Sequence, residues 1–296
     1  MSWTPDLVVA GVAKCGTTTL YDMLVAHPCV CGGIEKEVRF LMDHDDELIP
    51  AANVHSWGLQ GWVEQFPDRG KGDFDVWVDA SPQYQYQDTA LQELAAIEQK
   101  PLVAFIVRKP SQRLYSLYQY ARYHQRRMPH IESFAQFIDE IRPPVTGPLA
   151  KQKMMRTAWE DSQYDLTYER WAAALGDDRL FFTSVEQLGE DRFAVLSALS
   201  ERLGLDPAPL REPPVIQSNP TVVTRSKLVK TLGARAAKIL PDIGPVRRAK
   251  TFVRELNSGT VDRSEKADNA PLLAQLDEEF AKSEKRFAEL SGVRLP

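Results

Sequence analysis

Two short runs of apolar residues, 7–10 (Leu-Val-Val-Ala) and 102–107 (Leu-Val-Ala-Phe-Ile-Val), contain no polar position at all. Each is too short for a buried helix and reads as a strand covered on both faces. Each also leads through a short loop into an amphipathic helix. The first helix opens on Thr17-Thr18-Thr19 and stops near His27-Pro28; in the second, Pro110 suits a first helical turn. Residues 76–79 (Val-Trp-Val-Asp) and 179–182 read as further strands, while 89–99, 161–175, 184–203 and 270–290 carry helical spacing. Strands alternating with helices predict an α/β fold, a P-loop-like three-layer αβα arrangement around a parallel sheet of about four or five strands. The order of those strands is not written in the pattern.

The polar insert after the first run is Gly11-Val-Ala-Lys14-Cys15-Gly16-Thr17-Thr18-Thr19. A strand, a glycine loop and a helix N-terminus bring free backbone N–H groups and the positive helix end to one point, which makes an anion site. Gly11 and Gly16 have the spacing of the phosphate loop of nucleotide triphosphatases, G-x-x-x-x-G-K-[ST], but Thr17 stands where that loop has lysine. The lysine lies two residues before the second glycine. That position suits one shorter anionic group at the 5′ end of a nucleotide, with no metal to place. The plainer reading is an ordinary strand-to-helix turn bearing a surface lysine.

The second loop, Arg108-Lys-Pro-Ser-Gln-Arg-Leu-Tyr-Ser116, places an arginine at a strand's C-terminal end. Arg113, Ser116 and Tyr120 are spaced by three and four and share a helix face. Arg108 and Ser116 are placed to grip one phosphate together; the alternative is a helix cap with surface arginines. Between the two units, Lys36, Glu37 and Arg39 alternate with Val38 and Phe40. This is either a solvated strand edge or the wall of a cleft in which Glu37 serves as general base. Trp57, Trp62, Tyr84 and Tyr86 suit either an aromatic acceptor wall or the core.

Composition narrows the classes. The chain has 296 residues, 43% hydrophobic and 26% charged, as an ordinary globular protein does. Its net charge of −5 argues against nucleic acid as partner. No apolar run approaches the roughly 20 residues that cross a bilayer, and the first residues lack the basic and apolar regions of a secretory signal, so a cytoplasmic protein is expected. Cys15, Cys29 and Cys31 are expected to be reduced, since Cys29 and Cys31 stand too close for an ordinary disulfide and lack a zinc-spaced partner pair.

With both loops in view, the chain resembles the sulfotransferases that use 3′-phosphoadenosine 5′-phosphosulfate (PAPS). The loop from Gly11 to Thr19 resembles that family's site for the 5′-phosphosulfate. Arg108 to Ser116 resembles its 3′-phosphate motif, in which the arginine and the serine hold the phosphate. Lys36-Glu37-Val-Arg-Phe-Leu is similar to the Lys-Glu-x-His-Phe-Phe segment of heparan sulfate sulfotransferases, whose glutamate is the proposed base, and 164–171 and 180–188 are similar to the family's later helix and strand. The likeness covers most of 7–205. Arg39 replaces that segment's histidine, and Ala80 stands near where some of those enzymes carry a second lysine, which weakens the case for a heparan-type acceptor. With no Golgi anchor, the soluble bacterial members are the nearer match.

The resemblance implies one domain, 1–296, with a core of 7–205 and a helical extension, 206–296, packed on it. It also implies PAPS as co-substrate, adenosine 3′,5′-bisphosphate (PAP) as product, no metal, and a small-molecule or carbohydrate acceptor. Lys14 and Glu37 are the expected catalytic residues. Lys14, Cys15, Gly16, Thr17, Thr18, Thr19, Arg108, Ser116 and Arg225 are the expected donor contacts. Arg225 opens a basic stretch, 225–254, that is either a solvated helical face or a flap closing over the donor. The alternative class is a phosphate-loop nucleotide kinase using Mg·ATP, against which the missing Gly-Lys-Thr order speaks.

Overall fold

A computed structural model describes residues 4–67, 74–125, 128–211, 222–224, 258–260 and 263–296. Five parallel strands form one sheet: β1 (Leu7–Gly11), β2 (Val30–Gly32), β3 (Val76–Asp79), β4 (Leu102–Val107) and β5 (Leu180–Ser184), in the order β2-β3-β1-β4-β5. β1 and β4 are buried along their whole length, which explains their unbroken apolar sequence. Their side chains still alternate between two cores. Leu7 and Val9 pack with Leu20, Leu24, Leu196 and Leu199 on one face. Val8 and Ala10 pack with Trp62, Trp171 and Phe287 on the other. Helices therefore cover both faces, as expected.

Along the chain, α1 (Thr17–Leu24) follows β1, and the short α2 (Val54–Trp57) precedes β3. Next come α3 (Asp88–Ala96), α4 (Pro110–Gln119), α5 (Phe134–Ile141), α6 (Lys153–Arg156) and α7 (Tyr164–Leu175). After β5 the helical stretch expected over 184–203 is broken into α8 (Val185–Glu190) and α9 (Arg192–Leu203). Each has its own cap. Ser184 and Gln187 form a reciprocal capping box, and the Asp191 side chain accepts from the Ala194 amide at 2.9 Å.

The segment after α4 builds a separate apolar cluster of Tyr118, Phe134, Phe137, Ile138 and Met155 with Leu276 and Phe280 from the last helix. A short antiparallel pair, β6 (Val222–Thr224) and β7 (Ser258–Thr260), and α10 (Arg263–Asp268) precede that helix, α11 (Ala270–Ser291). α11 packs on α7 and α4. Asp277 on it pairs with Lys109 (3.2 Å) and accepts from Ser111 Oγ (2.5 Å), and Glu279 pairs with Arg142 (2.8 Å). The last helix thus braces the start of α4, just beyond the C-terminal end of β4.

β1 has β3 on one side and β4 on the other, so the direction of chain winding reverses there. In open α/β sheets the crevice at such a point, at the carboxyl ends of the strands, holds the ligand.

Candidate active site

β1 runs into this crevice at Gly11. A Cβ there would stand 2.9 Å from Phe105 Cδ1 and 3.2 Å from Gln85 Cβ, so packing admits only hydrogen. Two left-handed residues, Lys14 (φ 73°) and Gly16 (φ 86°), then turn the chain into α1. Gly16 is the N-cap and brings no side chain to the first N–H groups of α1, which keeps them available to a ligand. Thr17 is buried, while Thr18 and Thr19 are half-buried on the same turn.

The Lys14 ammonium lies 3.8 Å from the centre of the Tyr120 ring. Burial pushes it down to about 8, opposed chiefly by the negative charge of Glu37 and reinforced by Arg108 and Lys36. Lys14, Glu37, Lys36 and Arg108 thus share one electrostatic neighbourhood, although they come from three separate loops.

The segment carrying Glu37 is neither a strand nor a strand edge, contrary to one of the two readings of its alternation. It is an irregular loop beyond β2, turned by left-handed Arg39 (φ 54°). Val38 and Phe40 are buried beneath it. Its backbone is held from below by a buried hub. Asp79, at the end of β3, accepts from Trp62 Nε1 (3.1 Å), Ser81 Oγ (2.6 Å) and Tyr84 O–H (2.9 Å). The two hydroxyl oxygens in turn accept from the Arg39 amide (2.8 Å) and the Leu41 amide (3.1 Å). Glu37 Oε2 accepts from Gln83 Nε2 (2.8 Å), and Oε1 lies 3.5 Å from Lys36 Nζ. Of the three left-handed non-glycine residues among the described ones, Lys14 and Arg39 both sit in this crevice, where backbone strain is held by surrounding structure.

Asp79 carries a testable sign. Burial pushes its carboxyl up to about 6, against its three hydrogen bonds. A carboxyl raised above its unfolded value binds more protons in the folded protein between about pH 4 and 6, so its contribution to stability falls as pH rises through that window. Asp79→Asn removes this dependence and leaves an amide among three donors. The thermal midpoint of Asp79→Asn should therefore lie furthest below wild type near pH 4, with the gap narrowing up to pH 6. A gap that widens with pH would contradict the assignment.

On the other side of the crevice stand Arg108 and Ser116, both half-buried, at the end of β4 and on α4. The Arg108 carbonyl accepts from Tyr164 O–H (2.6 Å), whose oxygen also lies 3.7 Å from Cys15 Sγ. Cys15 is fully buried, and burial pushes its thiol up to about 11, away from the thiolate that a reactive cysteine needs. Arg113 is no surface arginine: it is fully buried and donates from Nε to the Ala13 carbonyl (3.2 Å) inside the loop. Arg225 lies outside the described residues.

A cavity of about 710 Å³ opens beside Gly16 and Thr19 and extends between α1 and α8–α9, walled by Met23, Val185, Leu188 and Phe193. None of these wall residues stood out in the sequence, where they are ordinary apolar helix positions. Of the four aromatic residues that suited an acceptor wall or the core, Trp62, Tyr84 and Tyr86 are core, and Trp57 is 47% exposed. None of Cys15, Cys29 and Cys31 is in a disulfide. Among the described residues, no cluster of three His, Cys, Asp or Glu side chains is arranged to hold a metal, and no helix is long and apolar enough to cross a membrane.

A parallel α/β sheet with a glycine loop at the end of β1 and a crevice at the carboxyl ends of its strands is the architecture of the P-loop-like α/β class. The sulfotransferase domain family matches residues 4–218, and the chain belongs to it. That family transfers the sulfuryl group of PAPS, releasing PAP. Over 203 residues, 69% of this chain, it is 26% identical to bifunctional heparan sulfate N-deacetylase/N-sulfotransferase 4 of Mus musculus and to number 3 of Homo sapiens. It spans only 22% of the length of either protein. A solved sulfotransferase from Alicyclobacillus acidocaldarius shares the fold, with a TM-score of 0.55 at 17% identity over 89% of this chain and 99% of that one.

Proposed function

We propose that this chain moves a sulfuryl group from PAPS to a hydroxyl or amine of a small-molecule or carbohydrate acceptor. The observation that carries the reading is the meeting of Lys14, Glu37 and Arg108 in one crevice at the start of α1. In this reading the free N–H groups of Thr17, Thr18 and Thr19, with Gly16, receive the donor's 5′ end. Lys14, still largely charged at neutral pH, offsets the charge that develops on the leaving phosphate. Glu37 takes the acceptor's proton. Arg108 and Ser116 hold the 3′-phosphate, and the cavity of about 710 Å³ beside Gly16 and Thr19 receives the purine. Transfer is in line: the bond from sulfur to the 5′-phosphate oxygen breaks as the acceptor's bond to sulfur forms. Positioning and fixed charge supply the acceleration, as in phosphoryl transfer. Three cysteines outside any disulfide are in keeping with a reducing, cytoplasmic setting.

The Arg108→Ala variant tests the donor assignment. Its affinity for PAP should fall by about 10-fold or more, the worth of a charge-assisted contact, while that for adenosine 5′-phosphate should stay within about 2-fold. Calorimetry on both ligands reads the difference, and equal losses would contradict a 3′-phosphate contact. A thermal-shift comparison of PAP with Mg·ATP separates this reading from a nucleotide kinase. Incubation with labelled PAPS and a panel of phenols, sugars, amines and alcohols identifies the acceptor.

A further inference from the structure

α4 touches the loop at two points that no donor phosphate explains. Arg113 clamps the Ala13 carbonyl, and about two turns further on the ring face of Tyr120 covers the neighbouring Lys14 ammonium at 3.8 Å. Tyr120 sits where the helix changes character. α4 ends at Gln119, the Tyr120 amide donates to the Ser116 and Leu117 carbonyls, and a π-helical stretch runs from Tyr120 to Gln125. Such stretches are rare and gather at functional sites. Lys14 needs a partner of this kind. It hangs on a left-handed backbone in a partly desolvated crevice, where an ammonium loses hydration, and two other cations, Arg108 and Lys36, face it. An aromatic face attracts a cation without offering it a proton acceptor, so it holds the charge in place yet leaves its N–H groups to the arriving donor.

We propose that Tyr120 is a positioning residue for Lys14: its ring face holds the ammonium, charged and aimed, at the point where the donor's 5′ end arrives. The role rests on the sulfotransfer reading for its consequence, but the contact is testable without any turnover. Because Tyr120 caps the C-terminal end of α4, one turn beyond Ser116, the element assigned to the 3′-phosphate also sets the lysine at the 5′ end. One rigid helix would then fix the spacing between the two ends of the donor.

Three variants separate the ring from the hydroxyl. Tyr120→Phe keeps the face, whereas Tyr120→Leu and Tyr120→Met remove it at similar volume. Trace labelling with acetic anhydride across pH, quantified by mass spectrometry, reads the titration of the Lys14 amine in the donor-free protein. Glu37, Cys15, Arg108 and Lys36, which face the same amine, are unchanged in all variants. Loss of an attraction to the charged form should move the Lys14 titration to lower pH in the Leu and Met variants and leave the Phe variant with wild type. With PAPS and an accepted substrate, the Leu and Met variants should lose about 3- to 30-fold in kcat, the range of a cation–π contact from a partly to a fully desolvated site. The alkaline limb of their kcat profile should move down with the labelling, while the Phe variant stays within about 3-fold of wild type. A Leu or Met variant that labels like wild type, or a Phe variant as impaired as Leu, overturns the proposal. If the labelling shifts as expected while no variant, nor wild type, transfers sulfate to any acceptor, the contact stands and the sulfotransfer reading fails.

Discussion

Glu37→Gln should lower turnover by about 10²- to 10⁴-fold, the usual contribution of a positioned general base, with PAP affinity left within about 2-fold. Glutamine preserves the shape and still accepts the 2.8 Å hydrogen bond from Gln83 Nε2. The loop beneath it is pinned by the Arg39 and Leu41 amides rather than by the carboxylate, so it should not shift. What the variant loses is a group able to take a proton. Single-turnover measurement with labelled PAPS isolates that step from product release. Weakened donor binding with unchanged turnover would reassign Glu37 to holding the site's cations, since its charge also offsets the burial of Lys14. The two outcomes differ in which constant moves, which makes the substitution decisive.

The parts of this site legible in the sequence are those written by local rules. β1 and β4 announce themselves because a strand buried on both faces tolerates no polar position. The loops that follow carry Gly16, Lys14 and Arg108 at spacings that suit an anion site. Other features depend on tertiary contacts. The alternation of 36–40 mimicked a strand edge, yet it arises because Val38 and Phe40 turn into the core while Ser81 and Tyr84, some 40 residues on, hold the amides. β2, only three residues long at the sheet's edge, was hidden between Cys29 and Gly33. The break between α8 and α9 did leave a local trace, the Ser184–Gln187 box and the Asp191 cap, which outweighs the continuous apolar spacing. Tyr120 left only its spacing, on the helix face shared with Arg113 and Ser116. That spacing says nothing of Lys14, whose arrival over the ring face is a tertiary contact.

Arg113 gives the largest expected effect on stability. From Nη1 it donates to the Ala158 carbonyl (2.8 Å) and Ser162 Oγ (2.6 Å), from Nε to the Ala13 carbonyl, and its Nη2 lies 4.0 Å from Asp161 Oδ2. Burial raises the Asp161 carboxyl to about 6, and Arg113 is the main influence opposing that rise. Arg113→Met fills much of the same volume but leaves the Ala13 carbonyl without its donor and Asp161 without its cation. Removing one member of a buried pair costs about 3–5 kcal/mol, and the urea midpoint should fall accordingly. Adding Asp161→Leu should recover part of the loss, because the stranded charge leaves with it; recovery of nothing would mean that the carbonyl clamp, not the ion pair, carries the energy. Wherever the single variant remains folded, its affinity for PAP should also drop, since the loop bearing Lys14 is tied to α4 through that carbonyl. A variant with wild-type stability and wild-type PAP affinity would show that the loop holds its shape without α4. The coupling of the donor's two ends through one helix would then lose its physical basis.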